Sequence, residues 1–444
     1  MSPANGVISQ TSSTPGTSLR GRVGASAPLT SSGAEWLEEA GVRRAFVGGR
    51  VETMDAGPRP SVVIVSGDRI ESVGELDLLR SLPEVEVVDL QGRMLLPGFI
   101  DAHHHLSISA LEPLWADLSG VTDPEDAARL LADAAARTPG AAWIRGCNWS
   151  RDALRITRRE LDAMGFDRPV ILACTSLHRC VVSSHGLEDL RIDANTPDPP
   201  GGRIHRDHSG QLTGLLIETA WSHAHAASLG QINEPDRYAD LIEERATLLL
   251  SYGITAIHDT AMSPRAEVAY RLLAAQARLP ISILGFPHSA ELLAGPDPAR
   301  WDGLVTGEGD EHFRVGPVKI FADGVWPPAC DGRIDGQRIQ FGDILPGLDD
   351  HIRVAVARGF GVAVHAIGNV GLSSALDSWR TATAGREPEH GMRVEHVLLA
   401  SSTELDEMRR LGVTGVIQPG FVVGLGDVAN AFDFDAHTWL PFAD

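Results

Sequence analysis

Short β-like runs separated by turn signals dominate the chain between residues 43 and 96. Ala45-Phe46-Val47, Ser61-Val62-Val63-Ile64-Val65, Ile70-Glu71-Ser72-Val73 and Val85-Glu86-Val87-Val88 alternate with breaks such as Gly48-Gly49 and Gly67-Asp68. They predict a small all-β unit over 35–96, and residues 1–34, rich in Ser, Gly, Thr and Pro, predict a disordered tail. From Gly253 the pattern changes to apolar strands separated by helix-length stretches. Strands are predicted at 254–259, 281–284, 316–321, 362–367 and 393–397, with helices between them and a last strand-like run at 415–418. Such alternation means βα units around a parallel sheet. The region after residue 105 carries mixed signals for about 130 residues, far more than the roughly 30 of one βα unit. It therefore contains an insertion, placed at about 107–235 of a barrel spanning 97–444.

Polar residues fall at one conspicuous place in this pattern. In Pro97-Gly98-Phe99-Ile100-Asp101-Ala102-His103-His104-His105 an extended chain puts Asp101, His103 and His105 on one face and His104 on the other. Two imidazoles on one face can hold a divalent metal; the alternative is a polar strand end bonded to water or backbone. His223-Ala224-His225 repeats the spacing, but inside an alanine-rich stretch, 215–229, read as helical. Residues two apart on a helix do not share a face, so this pair is read as surface or core.

Composition narrows the picture. A net charge of −21 argues against nucleic acid and against an anionic membrane as partner. No apolar run reaches membrane-spanning length and no secretory core stands at the N-terminus, so a soluble cytoplasmic protein is expected. Four cysteines without C-x-x-C spacing are read as buried thiols. Of the 38 basic residues only Lys319 is a lysine, and it sits in an apolar strand where a charge is costly. A primary amine is needed there, or Lys319 pairs with Asp323 on the same strand face.

The Pro97–His105 lead-in resembles the metal-binding first strand of the amidohydrolase superfamily, whose members carry a metallohydrolase site in a (β/α)8 barrel. The runs before it resemble the N-terminal half of a β-sandwich found in that superfamily. Two further segments, 175–184 and 201–215, look like the insertion of amidohydrolase family 3, the formamide-deformylase-like subgroup. The resemblance implies one or two divalent metals, zinc by default, held by His103 and His105, by His365 and His396 on the fifth and sixth strands, and by a carboxylated Lys319 on the fourth. It also implies that His178 and Asp323 lie beside a small-molecule substrate; the alternative for His178 is an exposed loop histidine. The fold class follows: α/β, a TIM-like barrel with a small β-sandwich-like N-terminal domain.

The resemblance also calls for an eighth-strand aspartate as metal ligand and base, and counting βα units places it at or beyond residue 444. Asp433 and Asp435 are the nearest carboxylates but lack a strand before them. The last strand is therefore expected to be missing, the chain truncated, and the catalytic base unassigned. The implied activity is hydrolysis of an amide or formamide-type, non-peptide C–N bond by a metal-activated hydroxide. Two alternatives stand beside it, a non-catalytic barrel serving as a binding or regulatory protein and a hydrolase of a lactone or phosphoester. Substrate, metal number and any homo-oligomer are left open.

Overall fold

The computed structural model describes residues 42–82, 84–229, 235–289, 291–293, 301–325, 327–334, 337–385 and 387–421. The tail 1–34 and the carboxylates Asp433 and Asp435 lie outside them. The chain divides into two compact units, Met1–Pro97 and Gly98–Asp444.

In the first unit Arg43–Val47 pairs antiparallel with Val62–Ser66, which pairs antiparallel with Arg69–Gly74. Val85–Asp89 joins the other side of Arg43–Val47 in parallel. A parallel partner needs a crossover instead of a hairpin, and the 3-10 turn Leu76–Ser81 lies within that connection. Ala45, Val62 and Ile64 are buried, with Leu78, Leu79 and Leu82 packed against them. The sheet is a single layer with a small core, and its strands fall where the β-like runs predict.

In the second unit seven strand positions form the parallel series. Phe99–His104, Ile254–Met262 and Ser282–Pro287 come first, each parallel to its neighbour. The fourth strand is broken. Its first part, Phe313–Val315, pairs with Ser282–Pro287, and its second, Val318–Phe321, pairs with Val362–Ala366. Gly316 and Pro317 lie at the break; Gly316 still donates to the Gly285 carbonyl, whereas proline has no N–H to give. Met392–His396 and Thr414–Val416 complete the series as sixth and seventh. No eighth strand lies among the described residues.

Strand alternation sorts the side chains of this series. Val318 and Ile320, Val362 and Val364, and Val394 enter one core with Leu348, Ile352, Leu372, Leu376 and Trp379 of the covering helices Leu348–Ala357 and Asn369–Ala382. Residues between them, Lys319, His365, Arg393 and Glu395, face the opposite way, into the interior. Period two in the sequence thus decides which polar side chains meet inside.

The insertion builds a six-stranded mixed sheet of its own. Its order is Gly202–Arg206, Leu212–Glu218, Arg179–Val182, Val170–Cys174, Ile144–Trp149 and Ala116–Asp117, with both faces covered by apolar clusters. The helix predicted over 215–229 begins only at Thr219, because Leu212–Glu218 is a strand paired with Arg179–Val182. A continuous apolar run such as Leu215-Leu216-Ile217 suits a buried strand and a buried helix equally, and pairing decides. The four cysteines are buried and free. Among the described residues no helix is long and apolar enough to cross a membrane.

Gly98 enters the first strand against the second. A Cβ there would lie 2.1 Å from Thr255 Oγ1 and 2.7 Å from its Cβ. Gly98→Ala is expected to lower stability by about 1–3 kcal/mol in chemical denaturation. A Gly98→Ala/Thr255→Gly double variant should recover part of that loss; strictly additive effects would show that the two positions do not meet.

Candidate functional site

The first strand ends in the histidine run. His103 and His105 meet edge to face with ring centroids 5.3 Å apart, while His104 turns aside and its Nδ1 lies 3.0 Å from Asp101 Oδ2. Asp101 therefore departs from the alternation read in the sequence. Its carboxylate accepts from the His103 backbone N–H and bonds His104, so it serves the strand end and does not join His103 and His105.

His103 reaches across the interior to the sixth strand. Its Nδ1–H donates to Glu395 Oε2 at 2.6 Å, and its ring lies 4.6 Å from that of His396. His396 in turn lies 4.6 Å from His365, and His365 lies 5.2 Å from His178. Glu395 and His396 are neighbours on one strand and by alternation should face apart. Positive φ angles of 78° at His396 and 47° at Val397 end the strand and break the alternation. Non-glycine residues hold such angles at a cost of about 1–3 kcal/mol each, which the surrounding packing must overcome.

Lys319 is 1% exposed, and its Nζ sits 4.9 Å from the Phe321 ring centroid. No ion pair joins it to Asp323 among the described residues. Asp323 is instead occupied by backbone: Ile367, Gly368 and Ala329 N–H groups donate to its two oxygens. Its Oδ1 is 3.9 Å from His365 Nε2, so it borders the cluster, and burial pushes its carboxyl up to about 7. Burial likewise pushes the Lys319 ammonium down to about 8, opposed by Glu395 and assisted by Arg393.

Burial holds all four imidazoles, His103, His105, His365 and His396, below the ordinary histidine range, and the cationic Lys319 adds to the effect. They are neutral at neutral pH and keep a lone pair, which is what a metal needs. His103 and His396 spend Nδ1 on Glu395 and Gln418, which leaves the Nε2 lone pair of each for a metal, although His103 Nε2 also lies 3.3 Å from the Thr260 hydroxyl. His105 Nδ1 and His365 Nε2 are buried without a hydrogen-bond partner. This donor set fits a divalent metal in its chemistry. As they stand, no three His, Cys, Asp or Glu side chains among the described residues converge closely enough to hold an ion by themselves.

The insertion delivers His178 to the same place. Its Nδ1 lies 2.6 Å from Glu218 Oε2, Glu218 Oε1 accepts from the Val325 N–H, and Phe321 and Trp221 flank the ring. His178 is 6% exposed, so the exposed-loop alternative is set aside. The His223/His225 pair divides as the helix requires: His223 is half exposed beside Glu291, and His225 is buried against Arg145.

Sequence reasoning passed over Glu395, Arg393, Glu218 and Gln418. Glu395 and Arg393 share a strand face at spacing two, and that was the available signal. Glu218 and Gln418 carry none, being brought in by tertiary structure. Arg393 bonds Glu395 through Nε at 2.5 Å and Nη2 at 2.9 Å, and also bonds His258 and the Ala102 carbonyl. Burial would push the Glu395 carboxyl up, but the bonds from His103 and Arg393 outweigh it and hold it well below its ordinary value of 4.5. A carboxyl depressed on folding contributes stability that is fully present above that ordinary value and lost as pH falls below it. Glu395→Gln is expected to cost about 3–5 kcal/mol at neutral pH, because Arg393 loses its counter-charge in the interior. Denaturation midpoints should show the gap between parent and variant narrowing as pH is lowered below 4.5; a constant gap would refute the linkage.

Comparison with known proteins sets this geometry in context. The chain is 30% identical to an N-substituted formamide deformylase of Arthrobacter pascens over 404 residues, covering 87% of this chain and 74% of the relative. It is 28% identical to a putative amidohydrolase of Bacillus subtilis, covering 84% and 72% respectively. Its fold is similar to that of an uncharacterized metal-dependent hydrolase from Pyrococcus horikoshii, with a TM-score of 0.69 at 22% identity over 90% of this chain and 79% of that one. That likeness supports a TIM-barrel-like fold behind an N-terminal domain. The family model described as the amidohydrolase family matches residues 86–436, from the last strand of the N-terminal sheet past the whole parallel series. Since so much of the chain matches, and not its histidine run alone, the protein belongs to the amidohydrolase family and is a hydrolase of carbon–nitrogen bonds.

Proposed function

We propose that this protein is a metal-dependent hydrolase of N-substituted formamides or closely related small, non-peptide amides. The observation that carries the reading is the meeting of His103, His105, His365 and His396, all neutral, around the buried amine of Lys319. His103 Nε2, His396 Nε2 and the two unpartnered atoms, His105 Nδ1 and His365 Nε2, would hold one or two divalent ions, with zinc the proposed metal. A metal bound there supplies Lewis-acid activation of water and of the substrate carbonyl.

The chain's own residues supply orientation. Glu395 fixes the tautomer of His103 and Gln418 that of His396, so that each presents Nε2 inward. Glu218 fixes His178 in the same way, and His178, next to His365, is proposed to meet the substrate, with Asp323 bordering the same space. The Lys319 amine, lowered to about 8, remains mostly cationic at neutral pH but has a minor unprotonated fraction, on the order of a tenth. It can then take a carboxyl group from carbon dioxide and become an oxygen donor in the set, a conversion closed to a guanidinium. The four free, buried thiols suit a reducing compartment, and the cytoplasm is the proposed location.

Lys319→Arg is expected to lose bound metal and at least a hundredfold of formate release from an N-alkylformamide. Elemental analysis beside a formate assay checks both; a Lys319→Arg protein that keeps its metal and activity would remove Lys319 from the donor set.

A further inference from the structure

One buried cation has no role in the centre described above. Arg145, on the insertion strand Ile144–Trp149, is 3% exposed and has no carboxylate partner among the described residues. Its Nη1 donates to the Ser228 hydroxyl, its Nη2 donates to His225 Nδ1 at 2.8 Å, and its guanidinium lies 4.4 Å from the Trp115 ring centroid. Burial also holds His225 neutral, so both hydrogen-bond partners are uncharged. The third guanidinium nitrogen, Nε, is buried with no acceptor. Burial pushes Arg145 down to about 10, so it remains cationic at neutral pH. A buried charge left without a counter-charge is strongly unfavourable, as is one partner of a buried ion pair stranded without the other, and folds rarely keep one for packing alone.

Arg145 lines a cavity of about 170 Å³, and the same cavity is lined by His105. Thr175, Asn148 and Trp115 contribute further walls. The other charged group facing it is Glu112, which is taken up by Arg245 at 2.6 Å. Burial pushes the Cys147 thiol in the wall up to about 12, so it carries no charge that would repel an anion. The volume accepts a carboxylate with a few attached carbons, on the scale of about 30 Å³ for each water-sized group. The cavity thus joins a stranded guanidinium at one wall to a histidine of the proposed metal centre at another.

We propose that Arg145 recognises an anionic group on the substrate, a carboxylate set a few bonds away from the amide that is cut. The substrate class is then N-formyl or N-acyl amino acids and related acids, rather than uncharged amides. A carboxylate suits the site because a guanidinium offers several N–H donors in one plane and Arg145 has only part of them engaged. This assignment rests on the hydrolase reading for its catalytic half but not for its binding half.

The test measures the two halves separately. Formate release by the metal-loaded protein is compared for N-formylglycine and N-formyl-β-alanine against their carboxamides. Binding of N-formyl-β-alanine to metal-free protein is followed by calorimetry. The acids are expected to exceed the amides at least tenfold in kcat/KM, and Arg145→Met should cut that ratio and the calorimetric affinity by tenfold or more. Arg145→Lys, which keeps the charge but not the planar fork, should fall between. Hydrolysis of acids and amides alike, with binding indifferent to Arg145, would overturn the anion site and leave the formamide reading standing. Arg145-dependent binding without hydrolysis of any of the four compounds would support the anion site and overturn the formamide reading. Should Arg145→Met fail to fold, the parent's acid-to-amide ratio and the Arg145→Lys protein decide, and a ratio near one in the parent overturns the proposal.

Discussion

The interior of the parallel series depends on the carboxylate of Glu395. Two cations, Arg393 and Lys319, face the same enclosed space, and one buried carboxylate opposes both. A charge moved into a protein interior needs hydrogen bonds and a counter-charge to stay there, and Glu395 answers with both oxygens. Oε1 takes Arg393 Nε, and Oε2 takes Arg393 Nη2 and His103 Nδ1. Through that one group the sixth strand is tied to the first, and through Arg393 to the second at His258. The histidines are placed by this pairing as much as by their own strands.

The insertion works on the same principle at the other side of the cluster. His178 is held by Glu218 as His103 is held by Glu395, a carboxylate behind an imidazole in each case. Both arrangements sit at strand ends where a non-glycine residue adopts positive φ, Glu218 at 53° and His396 at 78°. Regular strands alone would send these side chains to the wrong faces. Local backbone strain lets neighbouring residues converge, and cross-strand packing and buried hydrogen bonds sustain it.

Much of this was legible in the sequence, for a definite reason. Where a strand has one face on a helix layer and one face inside, the sequence alternates, and His365 and Lys319 fall between the apolar positions, although their roles were implied by the family resemblance. The lysine was conspicuous further because every other basic residue is arginine. What escaped was whatever depends on tertiary contact. Asp101 was placed with His103 by alternation, yet a hydrogen bond to His104 drew it aside. The run Leu215-Leu216-Ile217 carries no period and was misread as helix. The break at Gly316-Pro317, which lets one strand position serve both neighbouring sheets, looks in sequence like an ordinary turn signal.

The arginine-for-lysine bias has a consequence for handling the molecule. The ε-amine of Lys319 is the chain's only side-chain amine, it lies at 1% exposure, and its lowered affinity for protons makes it a good nucleophile near neutrality. Acylating, cyanate-type and aldehyde reagents, which on most proteins scatter over dozens of surface lysines, therefore have one side-chain target here, inside the histidine cluster. The extent of such labelling reads out how open that interior is, and surface-directed amine chemistry leaves the rest of the protein's side chains untouched.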